Sequence, residues 1–482
     1  MNRSKIRLAA AAAAMFAFSL FGADAPKNVI LFIGDGMSVP QRMVADEFSR
    51  KAGLGPLAMN SLPFSAVTRT CSANSLVTDS AAAATAIACG EKTRNGSIGV
   101  DKDGNRLVSC AEAARDSGRK VGIASTVTIT HATPAGFYGH RPNRGMTYEI
   151  AIDLADSGFD FFAGGGLDNR YKDSNSPIWE GHGNAYNYAE SNGYTVVRTK
   201  ADFLALKPGC GKILTRFRDD ALATSIDAGP RLNEPTVAEI TEKAIELLEC
   251  PQGFFLMVEG GRIDWAGHAN DAATNLRDVL ALDDAVKVAL KWQESHPDTL
   301  VIVTGDHETG GMSMGFAGTG YALYMERLAN QTMSVGTFEH KFRRMHEKAH
   351  EAGIAVSYDE VKALMTEAFG FTFNPEERDN PMYLHTAERE EVERAFKHDI
   401  EFMDAGKKEI TAYDGEKRML LGGVCRNLMS HKCGIGWSSG AHTAMPVLTT
   451  SKGPGAEKFT GYIENTDISR TIKSFMNAGK GR

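Results

Sequence analysis

Residues 28–36 read Asn-Val-Ile-Leu-Phe-Ile-Gly-Asp-Gly, five consecutive apolar side chains followed by an acid, Asp35, set between two glycines. An apolar run of that length suits a strand buried on both faces. Two other stretches repeat the plan. Residues 254–261 pass from Phe-Phe-Leu-Met-Val into Glu259-Gly260-Gly261, and residues 300–307 pass from Leu-Val-Ile-Val into Thr304-Gly305-Asp306-His307. A glycine-flanked aspartate alone is an ordinary turn residue. Three strands that each deliver an acid or imidazole at the carboxyl end predict one edge of an open α/β sheet, which is where such sheets bind ligands. Further apolar runs at 121–125 and 159–163 alternate with amphipathic helical patterns at 235–249 and 271–294. The expected fold is therefore α/β, a three-layer sandwich with a largely parallel central sheet flanked by helices. Between residues 312 and 437 the strand signal fades and charged helical patterns take over at 338–351, 359–369 and 386–403. That stretch is expected to be a helical cap, or crown, inserted into one α/β domain spanning 26–482.

The chain has 482 residues, 43% hydrophobic and 23% charged, a balance that supports a sizeable core. A net charge of -7 with no basic stripe argues against nucleic-acid binding. At the amino end, Arg3, Lys5 and Arg7 precede an apolar run at 8–21 and the small-residue site Ala23-Asp24-Ala25. Residues 1–25 are expected to be a secretory signal peptide, which places the mature protein in the periplasm or outside the cell. The run falls short of the roughly 20 apolar residues that span a bilayer, and no other stretch approaches that length. Export permits disulfides. The seven cysteines form no CxxC, so a thiolate metal knuckle is not indicated, and an odd number leaves at least one unpaired.

Grouped at one edge, Asp35, Glu259, Asp264 and Asp306 would repel one another, and divalent cations are the usual remedy. Asp264 and His268 stand four apart, and Asp306 and His307 are adjacent, so both pairs offer the mixed oxygen and nitrogen donors that suit zinc. Of thirteen histidines, only His131, His268, His307 and His442 occur in such contexts. A nucleophile candidate, Ser80, lies in Val-Thr-Asp-Ser-Ala-Ala-Ala-Ala-Thr-Ala at 77–86. Thr78 or Asp79 can cap a helix there, placing Ser80 in the first turn, where free N–H groups favour an alkoxide and a phosphate. No G-x-S-x-G elbow is present, so a serine activated by metal fits better than one activated by histidine.

Six stretches in order resemble the alkaline phosphatase family: NVILFIGDGMS at 28–38, VTDSAAAATA at 77–86, ITHATPAGF at 129–137, FFLMVEGGRIDWAGH at 254–268, VTGDHETGG at 303–311 and SGAHTAMPV at 439–447. The resemblance covers nearly the whole chain after residue 25. It implies that Asp264, His268 and His442 hold one zinc and that Asp35, Asp306 and His307 hold the second. Asp35 would also bridge to a third ion, magnesium, with Thr133 and Glu259. Ser80 would be the phosphorylated nucleophile, its oxygen also a metal ligand, and Arg144 the bidentate phosphate clamp. The chain differs from the best-known bacterial pattern at two positions, with His131 in place of an aspartate and Trp265 in place of a lysine. The implied reaction is hydrolysis of small phosphate monoesters to an alcohol and phosphate through a phosphoserine. A homodimer is left open.

Other readings compete. His346-Glu347-Lys348-Ala349-His350 matches the HExxH signature of zinc metallopeptidases, but its surroundings are densely charged and no third ligand is evident. Sulfatases share the architecture yet need a C-x-P-x-R stretch, which is missing around Ser80. Phosphodiesterase relatives usually carry threonine as nucleophile and lack the arginine clamp. A phosphate- or metal-binding protein without catalysis is disfavoured because every expected catalytic side chain is present.

Overall fold

The computed structural model describes residues 25–168, 170–229, 233–406 and 419–477. Residues 1–24, on which the export signal was read, lie outside them. In chain order the strands are β1 (Asn28–Gly34), β2 (Phe64–Arg69), β3 (Lys120–Ser125), β4 (Phe161–Ala163), β5 (Tyr194–Val197), β6 (Lys212–Thr215), β7 (Phe254–Gly260) and β8 (Thr299–Gly305). After these come β9 (Glu308–Thr309), β10 (Met312–Met314), β11 (Ile435–Trp437), β12 (His442–Thr443), β13 (Val447–Lys452) and β14 (Gly461–Glu464).

Ten of them form one sheet in the order β14-β2-β13-β8-β1-β7-β3-β4-β6-β5. Only β13 runs antiparallel to its neighbours. β1, β7 and β8 sit at the centre, every residue buried. Their alternate side chains feed opposite layers: Ile30, Phe32, Leu256, Val258, Val301 and Val303 join one core, and Val29, Leu31, Ile33, Phe255, Met257 and Ile302 the other. An unbroken apolar run is what such two-sided burial demands. Truncating one of these phenylalanines to alanine would cost about 3–5 kcal/mol.

The helices expected at 235–249 and 271–294 run over Val237–Leu248 and Ala272–Gln293. Thr236 and Glu239 close a capping box at the start of one, and Asp271 accepts from Thr274 N at the start of the other. The run at 159–163 begins its strand two residues late. There the Asp160 carboxylate takes the Val121 N–H at 2.9 Å, and regular pairing starts only beyond it. β10 and β11 pair antiparallel, Met312 with Trp437, and close the base of the segment between them. That segment carries helices over Val335–Glu351, Tyr358–Phe369, Thr386–Asp404 and Leu421–Cys433. The last had no counterpart among the expected patterns. All seven cysteines are free thiols, so the latitude for disulfides that export would give goes unused. Among the described residues no helix is long and apolar enough to cross a membrane.

Candidate active site

Parallel register aligns the acid-bearing strand ends. Ile33 pairs with Glu259 and with Thr304, and Ser125 pairs with Glu259, so Asp35, Glu259 and Asp306 emerge together at one edge. The chain leaves β1 through Gly36 at φ +70°, a left-handed turn that glycine adopts without strain. Gly36 N donates to Asp306 Oδ1 at 3.0 Å, which locks the first strand end to the last.

Ser80 is the first residue of the Ser80–Cys89 helix, and Asp79 is its cap, accepting from Ala82 N at 3.0 Å. The helix is buried throughout, and its alanines allow close approach of the Ala132–Ala135 turn. A side chain added at Gly136 would stand 2.9 Å from the Ala84 methyl. That closeness brings His131 and Thr133 toward Asp35. Thr133 Oγ1 donates to Asp35 Oδ2 at 3.1 Å, and His131 Nδ1 stands 4.0 Å from Asp35 and 3.9 Å from Glu259.

Three donor groups result: Asp264, His268 and His442; Asp35, Asp306 and His307; and Asp35, His131 and Glu259. Within each the ligand atoms lie no more than 4.8 Å apart. His268 Nε2 is 3.4 Å from Asp264 Oδ2, and His442 Nε2 is 3.5 Å from Oδ1. His307 Nε2 is 3.2 Å from Asp35 Oδ1, 3.3 Å from Asp306 Oδ2 and 3.2 Å from Ser80 Oγ. Backbone carbonyls fix two tautomers: His268 Nδ1 donates to Gly440 O and His442 Nδ1 to Thr78 O, each at 2.8 Å, leaving both Nε2 atoms bare.

Of the ten buried side-chain polar atoms without a hydrogen-bond partner among the described residues, four converge here: Asp35 Oδ1, Asp306 Oδ2, Glu259 Oε1 and His131 Nδ1. Orphaned atoms of that kind are costly unless a cation satisfies them. Burial, reinforced by the neighbouring Glu259, pushes Asp35 up to about 6, and burial pushes Glu259 up to about 7. Asp306 is driven well above the carboxylate range by burial and by Asp35. Burial holds His131, His307 and His442 down to about 4, so the imidazoles stand neutral. The residues present fit divalent cations.

Arg144 reaches the same cleft, with Nη1 3.2 Å from Asp79 Oδ2 and Nη2 3.2 Å from His131 Nε2. Trp265 sets its ring edge-on to His131 at 6.2 Å, with Arg262 stacked 4.6 Å over it. The structure thus brings together every site residue picked from the sequence. It also places His131, read there as a departure, among the donors. It adds Ser125, which donates to Glu259, and Thr309, which donates to Asp264 at 2.5 Å. Thr309 follows His307 by two positions, the period at which strand residues share a side. The HExxH histidines lie elsewhere: His346 Nε2 pairs with Asp404 at 2.8 Å, and among the described residues no candidate metal group includes His346 or His350.

A mostly parallel sheet whose carboxyl edge gathers acids, imidazoles, a helix-capped serine and an arginine defines a metal-dependent hydrolase. The family profile described as alkaline phosphatase matches residues 26–478. Alkaline phosphatase 3 of Bacillus subtilis is 33% identical over 463 residues, covering 93% of this chain and 88% of that protein. The crystal structure of a cold-active alkaline phosphatase from a psychrophilic Shewanella superposes with a TM-score of 0.77 at 26% identity, covering 93% and 99% of the two chains. A histidine-to-aspartate variant of the alkaline phosphatase from the Antarctic bacterium TAB5, with Mg bound in a site termed M3, matches at a TM-score of 0.63 and 26% identity over 95% and 99%. The chain belongs to the alkaline phosphatase family, and it is a metal-dependent hydrolase of phosphate monoesters.

Proposed function

We propose that Ser80 is the nucleophile and that the reaction passes through a phosphoserine at a centre of two zinc ions and one magnesium. The observation that carries this reading is the 3.2 Å approach of Ser80 Oγ to His307 Nε2, where two donor groups meet. Asp264, His268 and His442 would hold one zinc, Asp35, Asp306 and His307 the other, and Asp35, Thr133 and Glu259 the magnesium, with His131 beside it. What supports the third assignment is the gathering of Asp35, His131 and Glu259, with Thr133 bonded to Asp35. Bound cations supply Lewis acidity that lowers the pKa of a hydroxyl and offsets charge on a departing oxygen.

The chain's own residues do the rest. The Asp79 cap sets Ser80 at a helix start, where N–H groups face an incoming anion. Ser80 Oγ attacks phosphorus in line as the bond to the ester oxygen breaks, and its proton passes through solvent to that oxygen, which leaves as the alcohol. Arg144 swings from Asp79 and His131 to hold two phosphoryl oxygens. Water then cleaves the Oγ–phosphorus bond and releases inorganic phosphate.

The proposal includes export under the signal at 1–25, to the periplasm or the medium, and a helical cap at about 312–437. It also includes a homodimer. Exposed apolar side chains at Val67 and Tyr462, neighbours across β2 and β14, support pairing of two copies at that margin. Metal analysis of the purified protein, with assays of a phosphate monoester, a diester and a sulfate ester, tests the central reading. Two zinc ions, one magnesium and dominant monoesterase activity are expected. A preference for the diester would favour the phosphodiesterase alternative.

A further inference from the structure

Thr309 is fully buried on β9 between two glycines. A Cβ on Gly36 would stand 2.7 Å from its Oγ1, and one on Gly267 would stand 3.0 Å from its methyl. Its side chain therefore has a single place to go. There Oγ1 touches one residue from each of two donor groups: Asp264 Oδ1 at 2.5 Å and His307 Nδ1 at 3.2 Å. A third ligand follows by register, since His442 is the β12 partner of Thr309.

A hydroxyl carries one proton and two lone pairs, and a carboxylate only accepts. The Thr309 proton therefore goes to Asp264, and the lone pair facing His307 accepts from Nδ1–H. That places the bare Nε2 of His307 toward Asp35, Asp306 and Ser80. One hydroxyl thus fixes both the orientation of Asp264 and the tautomer of His307.

We propose that Thr309 is a positioning residue that couples the two donor groups through this hydrogen-bond relay, so that two cations load as one cooperative unit. The proposal rests on the reading of both groups as metal sites. A cation held at Asp264 immobilises that carboxylate, and the relay passes the constraint to the His307 ring. The second cation then meets a ligand already in place, which is positive coupling through reduced ordering cost.

The test is titration of the metal-free protein with Zn2+ against a chromophoric chelator, with folding checked by circular dichroism. The wild type is expected to take up two equivalents in one cooperative transition. Thr309→Val keeps the methyl and removes the hydroxyl. It is expected to split the transition into two steps, with the weaker step lowered about 10- to 100-fold, the usual effect of losing a hydrogen-bond partner of a metal ligand. Thr309→Ser should restore the single transition. Wild-type loading in Thr309→Val overturns the proposal, as does a serine variant that behaves like valine. If Thr309→Val does not fold, the same titration of Thr309→Ala decides. A wild-type protein that binds fewer than two equivalents overturns the metal reading itself, whatever the variants do.

Discussion

Nη2 of Arg144 stands 3.2 Å from Nε2 of His131. A guanidinium only donates, so the imidazole nitrogen accepts and the ring proton rests on Nδ1. Nδ1 is the atom that faces Asp35 and Glu259, at 4.0 and 3.9 Å. While Arg144 stays there, His131 presents an N–H where a cation would need a lone pair. The arginine that suits the phosphate and the histidine beside the third donor group are thereby set against each other.

His131→Asp should relieve that conflict. An aspartate offers anionic oxygens to a cation, so magnesium should bind roughly tenfold tighter or better in equilibrium dialysis. The new carboxylate should also hold Arg144 back, and inhibition by inorganic phosphate should weaken. Unchanged magnesium affinity would count against a third site at Asp35 and Glu259.

Cation affinity should rise with pH. Without cations Asp35 and Glu259 keep their protons up to about 6 and about 7, whereas His307 and His442 are neutral above about 4. Below those raised values a cation must displace protons from the acids, so affinity falls as pH drops from about 7.5 to about 5. Calorimetry in buffers of different ionisation enthalpy should find more protons released on loading near pH 6 than near pH 8.5. No release at either pH would show that the acids are already ionised.

Ser80→Ala should keep its metals and lose at least about 100-fold in monoester turnover, since water replaces a positioned nucleophile poorly. Quench experiments that trap phosphoprotein in the wild type should find none in the variant. Turnover near that of the wild type would exclude a covalent route through Ser80.

Arg144→Lys keeps the charge and removes the fork that contacts Asp79 and His131 in the structure. If a bidentate contact contributes about 2–3 kcal/mol, monoester kcat/KM should fall roughly 30- to 150-fold. A diester has one non-bridging oxygen fewer and should lose less. Equal losses on both substrates would make Arg144 structural.

His346→Ala with His350→Ala should leave zinc content and activity unchanged. The pair it breaks, His346 with Asp404, joins two helices far along the chain from the ligands and is worth about 0–1 kcal/mol. A lost zinc equivalent would revive the peptidase reading.

The centre of the sheet was legible because β1, β7 and β8 are buried on both faces, and only near-continuous apolar sequence survives there. The marginal strands were not. β2 alternates buried with exposed residues, and β14 is largely exposed, so neither stands out from loop sequence. In the site, acids and imidazoles announced themselves by type. Thr309, Ser125 and the carbonyls of Thr78 and Gly440 did not, because a threonine, a serine or a backbone oxygen gains its role only from what folding sets beside it.

Asp35 stands at the end of the first strand, and His442 precedes the last two. On a ribosome the two arrive at opposite ends of synthesis. A chain released before His442 would lack the third member of the group formed with Asp264 and His268 and the segment that Thr309 pairs with. The donor group of Asp264, His268 and His442 is therefore closed by a residue made long after its other two members.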